Sequence, residues 1–382
     1  MAITYDYIII GAGASGSHLA LAMLNDDYFR DQHILIIEKS SKTKNDKTWS
    51  FWEDERGKWD DLITKQWRYG QVYAHGEDIK IDLKNLRYKM LRSIDFYKHA
   101  KDRLKIADAF TYITDEVVEI VENDEKVSVK TTNQLYEATH VFDSRLPDIG
   151  RIKESHATTI LQHFKGYFIK SQNKIFDPNR FTMMDYRLKD GESTSFTYVL
   201  PIDEHTGLVE FTYFTPKIVS DQRYEKFIDQ YLKKYMDDPD FEIEEIEQGI
   251  IPMSTYDFSQ DHTKRITKIG TAGGWVKASS GYSFKFSERK AAQIVENIKN
   301  NQRFTHKLSI GKYKRYDRIF IDVLYHQNHF GESIFYRLYK KNDTCLLLNF
   351  LDEQTTFYQD LKIINSLRSG YFIKAFFKTL FG

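Results

Sequence analysis

Only one cysteine, Cys345, occurs in the 382 residues, so no internal disulfide is possible and a reducing compartment suits the chain. Net charge is also missing. The 55 Lys+Arg cancel the 55 Asp+Glu, leaving no long-range field to gather nucleic acid, which is therefore not expected as a partner. No run of about 18 uncharged apolar residues exists, because Arg and Lys interrupt even the oily C-terminus; this argues against a spanning helix. The start runs from Met1 through Tyr7 into Ile8-Ile9-Ile10, with neither the basic segment nor the cleavage site of an export signal. These absences predict a cytoplasmic protein and leave attachment to a membrane surface open. Histidines are scattered, and His326 and His329 lack an acid at ligand spacing, so no metal is expected. No Ser-His-Asp or Cys-His arrangement can be argued from spacing.

Aromatic residues, by contrast, are plentiful at 15% of the chain, with 25 Tyr and 27 Phe, a usage that suits a long apolar cleft or large cores. The length allows two or three interlocking domains. Residues 5–10 read as a buried parallel strand, 14–25 as a helix and 33–38 as a second buried strand, giving a βαβ unit. A helical pattern follows at 93–106, then β-rich runs near 110–121 and 126–131, and Val141-Phe142-Asp143 returns the chain to the first sheet. From about 155 the sequence becomes strand-rich, with runs at Gly166–Lys170, Ser195–Leu200 and Leu208–Phe214 and one helix at Tyr224–Tyr235; this reads as a separate, antiparallel domain. Lys268-Ile269-Gly270 and the helix Glu288–Lys299 lead back to the nucleotide-binding part. The expected fold is α/β, a Rossmann-type FAD-binding domain interleaved with a substrate domain built on a mixed or antiparallel β-sheet and followed by a helical C-terminal region. The expected divisions are 1–75 and 76–154 for the first parts of the FAD-binding domain, 155–262 for the substrate domain, 263–302 for the last FAD-binding part, and 303–382 for the helices.

Gly11-Ala12-Gly13-Ala14-Ser15-Gly16 fits GxGxxG between a strand and a helix, and Glu38 follows 22 residues after Gly16. The first glycine permits the tight turn, the second lets backbone approach a pyrophosphate, and the third allows close helix packing; Glu38 would meet ribose hydroxyls. Ser15 belongs to the same loop. The motif alone leaves FAD and NAD open. Its place near the N-terminus, with the sheet resumed late, favours FAD. Gly270-Thr271-Ala272-Gly273-Gly274 after the late strand would bring backbone amides, including those of Gly270, Ala272 and Gly273, toward the flavin. Asp143 and Arg145 stand where a parallel strand ends, the place where ligands collect in such sheets.

Several ordered segments resemble the lycopene cyclase family, a branch of the flavoproteins built like hydroxybenzoate hydroxylase and geranylgeranyl reductase. They are Lys47-Thr48-Trp49-Ser50-Phe51, Phe142-Asp143-Ser144-Arg145, Leu161 to Gly166, Met184-Asp185-Tyr186-Arg187, Leu200-Pro201 with Leu208 to Tyr213, and Ile269–Gly273 with Ser280-Gly281-Tyr282-Ser283. Two departures stand out: Phe211 replaces an acid that many members carry after the catalytic glutamate, and Lys277-Ala278 replace His-Pro, which leaves the flavin-side contacts there open. The resemblance implies acid-initiated cyclisation of the acyclic ends of lycopene, with Glu210 as principal acid and Asp185 and Arg187 orienting it. Asp185 and Arg187 can equally be read as a structural ion pair with each other. The resemblance implies FAD, active in its reduced form beside the cation, with NAD(P)H as the reductant, and flavin contacts from Gly281 and Tyr282. Trp49, Phe51, Phe211 and Tyr213 are the candidate substrate contacts.

Strand alternation puts Leu208, Glu210 and Thr212 on one face and Val209, Phe211 and Tyr213 on the other. Rival readings are a flavin monooxygenase or reductase of the same fold, and an isoprenoid escort protein without flavin. Hydroxylases of this architecture usually carry Gly-Asp where this chain has Gly270-Thr271. In the tail, Phe372, Phe376, Leu380, Ile373 and Phe377 would share an apolar helix face, with Lys374 and Lys378 elsewhere. That pattern predicts peripheral attachment to the inner face of the cell membrane, where the substrate dissolves. The oligomeric state stays open.

Overall fold

The computed structural model describes residues 3–146, 152, 155, 157–236 and 241–381. The chain opens with β1 (Ile3–Ile10), α1 (Ala14–Leu24) and β2 (Ile34–Glu38), the two strands running parallel. Next come β3 (Thr48–Asp54), β4 (Ile63–Trp67), β5 (Tyr69–Ala74), β6 (Glu77–Asp82) and β7 (Leu86–Arg92). α2 (Ser93–Lys105) leads to β8 (Phe110–Thr114), β9 (Val117–Glu122), β10 (Val127–Thr131) and β11 (Leu135–Asp143). The strand-rich middle comprises β12 (Thr159–Ser171), β13 (Arg180–Asp185), β14 (Ser195–Pro201), β15 (Thr206–Thr215), α3 (Asp221–Tyr235) and β16 (Phe241–Ser254). After β17 (Ile266–Lys268) and α4 (Phe284–Lys299) the chain is helical: α5 (Gly311–His326), α6 (Gly331–Lys341), α7 (Thr344–Leu351), α8 (Phe357–Ser366) and α9 (Gly370–Phe381).

Three sheets result. The first runs β8-β2-β1-β11-β10-β9, with β17 parallel to the end of β11, so late sequence returns beside the earliest strands. The second runs β16-β12-β15-β14-β13-β5-β6, and β3-β7-β4 form a small third. The second sheet departs from expectation in one way. β5 and β6 come from residues read as nucleotide-binding sequence, and β5 pairs parallel with β13, which makes the sheet mixed, one of the two forms expected. The β5–β13 pairing joins segments about a hundred residues apart and leaves no local periodicity to read. Residue 154, where one division was expected to end, lies outside the described residues.

Both faces of the second sheet are covered. α3 carries Tyr224, Phe227, Ile228, Tyr231 and Leu232 at helical spacing, and this stripe buries against Val209, Phe211 and Tyr213. Each such side chain contributes roughly 1.5–3 kcal/mol by leaving water. The opposite face, with Met183, Phe196, Leu200 and Leu208, turns toward the C-terminal helices through Phe320, Leu324, Phe335 and Leu347.

Lys277 explains one departure from the family pattern. Its ammonium is buried and meets Asp317 of α5 at 2.8 Å and Glu353, just after α7, at 3.1 Å. Burial works against its charge, but the two carboxylates outweigh that and hold Lys277 above the usual lysine range. The lysine therefore ties the Gly-rich late stretch to the helical region. Replacing it leaves two carboxylates without their cation, so Lys277→Met should lower unfolding stability by about 3–5 kcal/mol, read from the urea midpoint at unchanged slope.

Candidate active site

The glycine loop lies where β1 passes into α1. Gly11 has φ +90°, a left-handed value that side-chain-bearing residues avoid, and a Cβ at residue 16 would collide with the Gly11 carbonyl. Gly13, the N-cap of α1, is different: a Cβ there would meet nothing within 4 Å, and no side chain caps the helix. An uncapped helix start beside open space fits a phosphate. Glu38 is buried next to it, its Oε2 accepting from the Ala12 amide at 2.7 Å and its Oε1 from the Ser40 amide at 3.0 Å. The Ser15 hydroxyl pairs with Ser287 of α4 at 2.9 Å, and a Cβ at Gly270 would stand 2.9 Å from Ser15 Oγ, so the late stretch packs on the early loop. Ala272 is fully buried in the turn Gly270–Gly273. Asp143 is buried, accepting from Arg145 Nε at 3.0 Å and from Lys268 Nζ at 2.7 Å, which closes the ends of β11 and β17.

A largely apolar cavity of about 880 Å³ lies between the second sheet and the C-terminal helices. Trp49, Met183, Met184, Phe196, Leu208 and Phe320 are among its walls. Glu210 faces into it from β15, only 7% exposed, and Thr212 donates to its Oε1 at 2.5 Å. Burial pushes the Glu210 carboxyl from 4.5 up to about 8; the Thr212 hydrogen bond opposes this and the nearby Glu247 carboxylate adds to it. The acid therefore keeps its proton at neutral pH.

Three phenols form a chain along the wall, Tyr88 reaching Tyr198 at 2.7 Å and Tyr282 at 3.1 Å. Burial raises all three well above the usual phenol range, so they remain neutral hydrogen-bond groups. Thr48 Oγ1, Gln162 Oε1 and Ser280 Oγ also border the cavity, buried and without a hydrogen-bond partner. An unpaired buried polar atom costs roughly 1–3 kcal/mol, so this wall suits a bound ring with its own carbonyls and ring nitrogens. Together with the open helix start, it fits a flavin dinucleotide.

The profile of the family described as lycopene cyclase protein matches residues 6–380. The chain belongs to the lycopene cyclase family. A comparison with curated proteins finds no match. Among solved structures it is similar to a geranylgeranyl bacteriochlorophyll reductase-like protein from Thermoplasma acidophilum, at 14% identity and a TM-score of 0.63, covering 99% of this chain and 100% of that one. A flavoprotein/dehydrogenase from Cytophaga hutchinsonii aligns at 12% identity and a TM-score of 0.62, covering 94% and 98%. A p-nitrophenol 4-monooxygenase from Pseudomonas putida aligns at 12% and 0.56, covering 100% and 97%. These likenesses establish the fold, a hydroxybenzoate hydroxylase-like α/β architecture with a C-terminal helical region.

In this family member the expected site residues separate into two groups. Glu210, Trp49, Gly281 and Tyr282 line the cavity. Phe211 and Tyr213, expected at the substrate, lie on the other face of β15 beneath α3, since neighbours along a strand point to opposite sides. Of the two roles open for Asp185 and Arg187, orienting the acid or pairing with each other, the structure has the second, on the α3 side of the sheet. Asp185 is fully buried, pairs with Arg187, and accepts from Tyr231 of α3 at 2.7 Å, while Arg187 lies over the Tyr73 and Tyr235 rings. This is an ion pair that seats α3 on the sheet. Phe51 stacks on Phe284 in the core of the first domain, centroids 5.0 Å apart, without reaching the cavity wall. Tyr282, expected at the flavin, spends its hydroxyl on the tyrosine chain and its ring on Trp52. Reading the sequence missed Tyr88, Tyr198 and Glu247, which come from strands whose pairing is not locally encoded.

Because a Cβ at Gly13 meets only open space, Gly13→Val should leave the fold intact and fill the phosphate's place. The expected result is a cooperative melt close to wild type with flavin absorbance lost after gel filtration. Full flavin retention would remove the loop from the binding site.

Proposed function

We propose that the protein is a lycopene beta-cyclase that binds FAD and closes the acyclic ψ ends of lycopene into β-ionone rings without net redox change. The observation carrying this reading is Glu210: a carboxyl held protonated near neutral pH, facing an apolar cavity sized for a hydrocarbon chain. Glu210 donates its proton to the terminal carbon–carbon double bond. The next double bond attacks the resulting cation and closes the ring, and loss of a proton completes it. Trp49 and Tyr198 line the cavity, and their rings would stabilise the positive charge there. A reduced flavin, held by Gly11, Gly13, Gly16 and Glu38 and bordered by Thr48, Gln162 and Ser280, would supply negative charge beside the cation. NAD(P)H is the proposed source of its reduction.

The cavity reaches the surface between α8 and α9. Phe357, Leu361, Ile364, Ile373 and Phe376 all line it while lying exposed, and the exposed Arg315 and Arg368 stand beside them. No helix among the described residues is long and apolar enough to cross a membrane. An exposed apolar mouth with basic neighbours supports docking on an anionic bilayer surface that holds the substrate. α9 differs from the expected free anchor. Phe372 and Ala375 pack inward, Lys378 is engaged by Asp322 of α5, and the side chain of Leu380 lies outside the described residues.

Glu210→Gln keeps the shape and removes the ionisable proton, so cyclisation should fall at least about a hundredfold with normal flavin content. Since the raised pKa makes the protonated form the donor, wild-type turnover should decline as pH rises through about 8. Near-wild-type turnover in the variant would exclude Glu210 as donor. Under anaerobic conditions in deuterated buffer each new ring should gain one deuteron without stoichiometric NAD(P)H use; stoichiometric oxygen uptake by the aerobic enzyme would favour a monooxygenase instead. For the mouth, Ile373→Glu with Phe376→Glu should weaken binding to anionic liposomes and slow turnover of membrane-borne lycopene. Detergent-dispersed lycopene should be cyclised almost normally, and unchanged liposome binding would rule out this docking face.

A further inference from the structure

We propose that Glu247 is the base that takes up the proton lost at ring closure, forming with Glu210 a carboxyl pair set across Gly166. This rests on the cyclase reading above. In the second sheet, Gly166 on β12 stands opposite Glu210 on β15 and opposite Glu247 on β16. Residues directly opposite one another share a face. Both glutamates therefore point to the cavity side, and both line the cavity. Their strands lie two spacings apart, roughly 10 Å, and the residue between them carries no side chain. A Cβ at Gly166 would stand 2.9 Å from Leu208 Cδ1 and 3.1 Å from Glu210 Cβ, so a side chain there would crowd Glu210.

Glu247 is otherwise out of place. β16 is an edge strand whose Glu242 and Glu244 are exposed, yet Glu247 is 6% exposed. Its Oε1 accepts from the Thr48 amide at 2.8 Å, whereas its Oε2 is buried with no hydrogen-bond partner. A buried carboxylate oxygen without a partner, on a residue that lines the cavity, has a lone pair free to accept a proton. The two acids also differ in surroundings. Burial raises both, but Glu247 has the Thr48 amide and the positive charges of Arg92 and Lys47 supporting its ionised form, while Glu210 has only the Thr212 hydroxyl. The asymmetry makes Glu247 the better supported of the two as a carboxylate and Glu210 the better held as an acid.

The cycle balances. The Glu210 O–H bond breaks and its proton forms a C–H bond at the end of the polyene; the ring C–C bond forms; a C–H bond beside the cation breaks, its electrons become the ring double bond, and its proton goes to Glu247. The proton returns to Glu210 before the next turnover, and no electrons are gained or lost. A tertiary ring cation bears hydrogens on several adjacent carbons. The position of the base therefore selects which double bond forms, and Glu247 becomes the determinant of ring type.

The test uses the full-length, flavin-replete protein with detergent-dispersed lycopene, reading rate and ring-isomer ratio by chromatography and NMR. Glu247→Gln should slow ring formation at least about tenfold and raise the share of rings whose double bond lies toward the other adjacent carbons. Glu247→Asp should recover part of both. Unchanged rate and ring ratio in Glu247→Gln would overturn the proposal, as would equal slowing in both variants with the ring ratio of wild type, the signature of a merely structural residue. Should the Gln variant fail to fold, the ring ratio of the Asp variant decides, an unshifted ratio counting against the base. A wild-type protein that forms no rings sinks the cyclase reading and this proposal together, whereas normal wild-type cyclisation beside unaffected variants sinks the proposal alone.

Discussion

A carboxylate taken from water into an apolar cavity loses the hydration that makes its ionised form stable, and the proton then stays on. Glu210 is subject to this constraint, and much of the architecture around it serves to maintain it. The sheet face that bears Glu210 is roofed by α5 to α9, so the acid is buried although its strand ends in solvent-exposed turns. That roof is joined to the nucleotide-binding half through Lys277, whose ammonium meets Asp317 and Glu353. Loosening the roof would rehydrate the acid and lower its pKa, so helix packing about a hundred residues later in the chain bears directly on the chemistry at β15.

The pleat of β15 divides its residues between two tasks. Leu208, Glu210 and Thr212 face the cavity, and Val209, Phe211 and Tyr213 bury beneath α3. This division accounts for Phe211 standing where many family members carry a second acid. Its ring stacks on Phe227 at 4.6 Å within an aromatic layer, and the cation opposite it, Lys165, is already paired with Glu225 of α3, so a carboxyl there would have no cation of its own. Asp185 lies on that same side and is compensated by Arg187 and Tyr231. A charged residue beneath α3 is thus tolerated only where its partners are built in.

How far the sequence could be read follows from the range of each interaction. The glycine loop, Glu38 and the βαβ unit were legible because their geometry is set within about forty residues, by turn, strand and helix in succession. Glu210 was legible through its strand's alternation together with the family resemblance. β5 and β6 were not, since their place depends on β13, which lies about a hundred residues away. Phe211 and Tyr213 show a different limit: alternation put them opposite Glu210, and only the position of α3 reveals which face is roofed by which helix. Glu247 was hidden because β16 reads as an acidic surface strand, and the one glutamate that turns inward is identified by its register with Gly166.

A dry acid and a greasy substrate impose opposing demands on the same cavity. It must be closed to water, yet a long hydrocarbon has to pass in and out through a mouth. Ile373 and Phe376 meet both conditions on the docking reading, for they line the cavity and also face outward. Against water such a mouth would expose apolar surface and admit solvent toward Glu210. Against a bilayer the same surface is covered by acyl chains, and hydrocarbon passes into hydrocarbon with little change in solvation. On that reading a bilayer would act as the remaining wall of the site, and the dryness that raises the Glu210 pKa would owe something to the docked surface as well as to the protein's own packing.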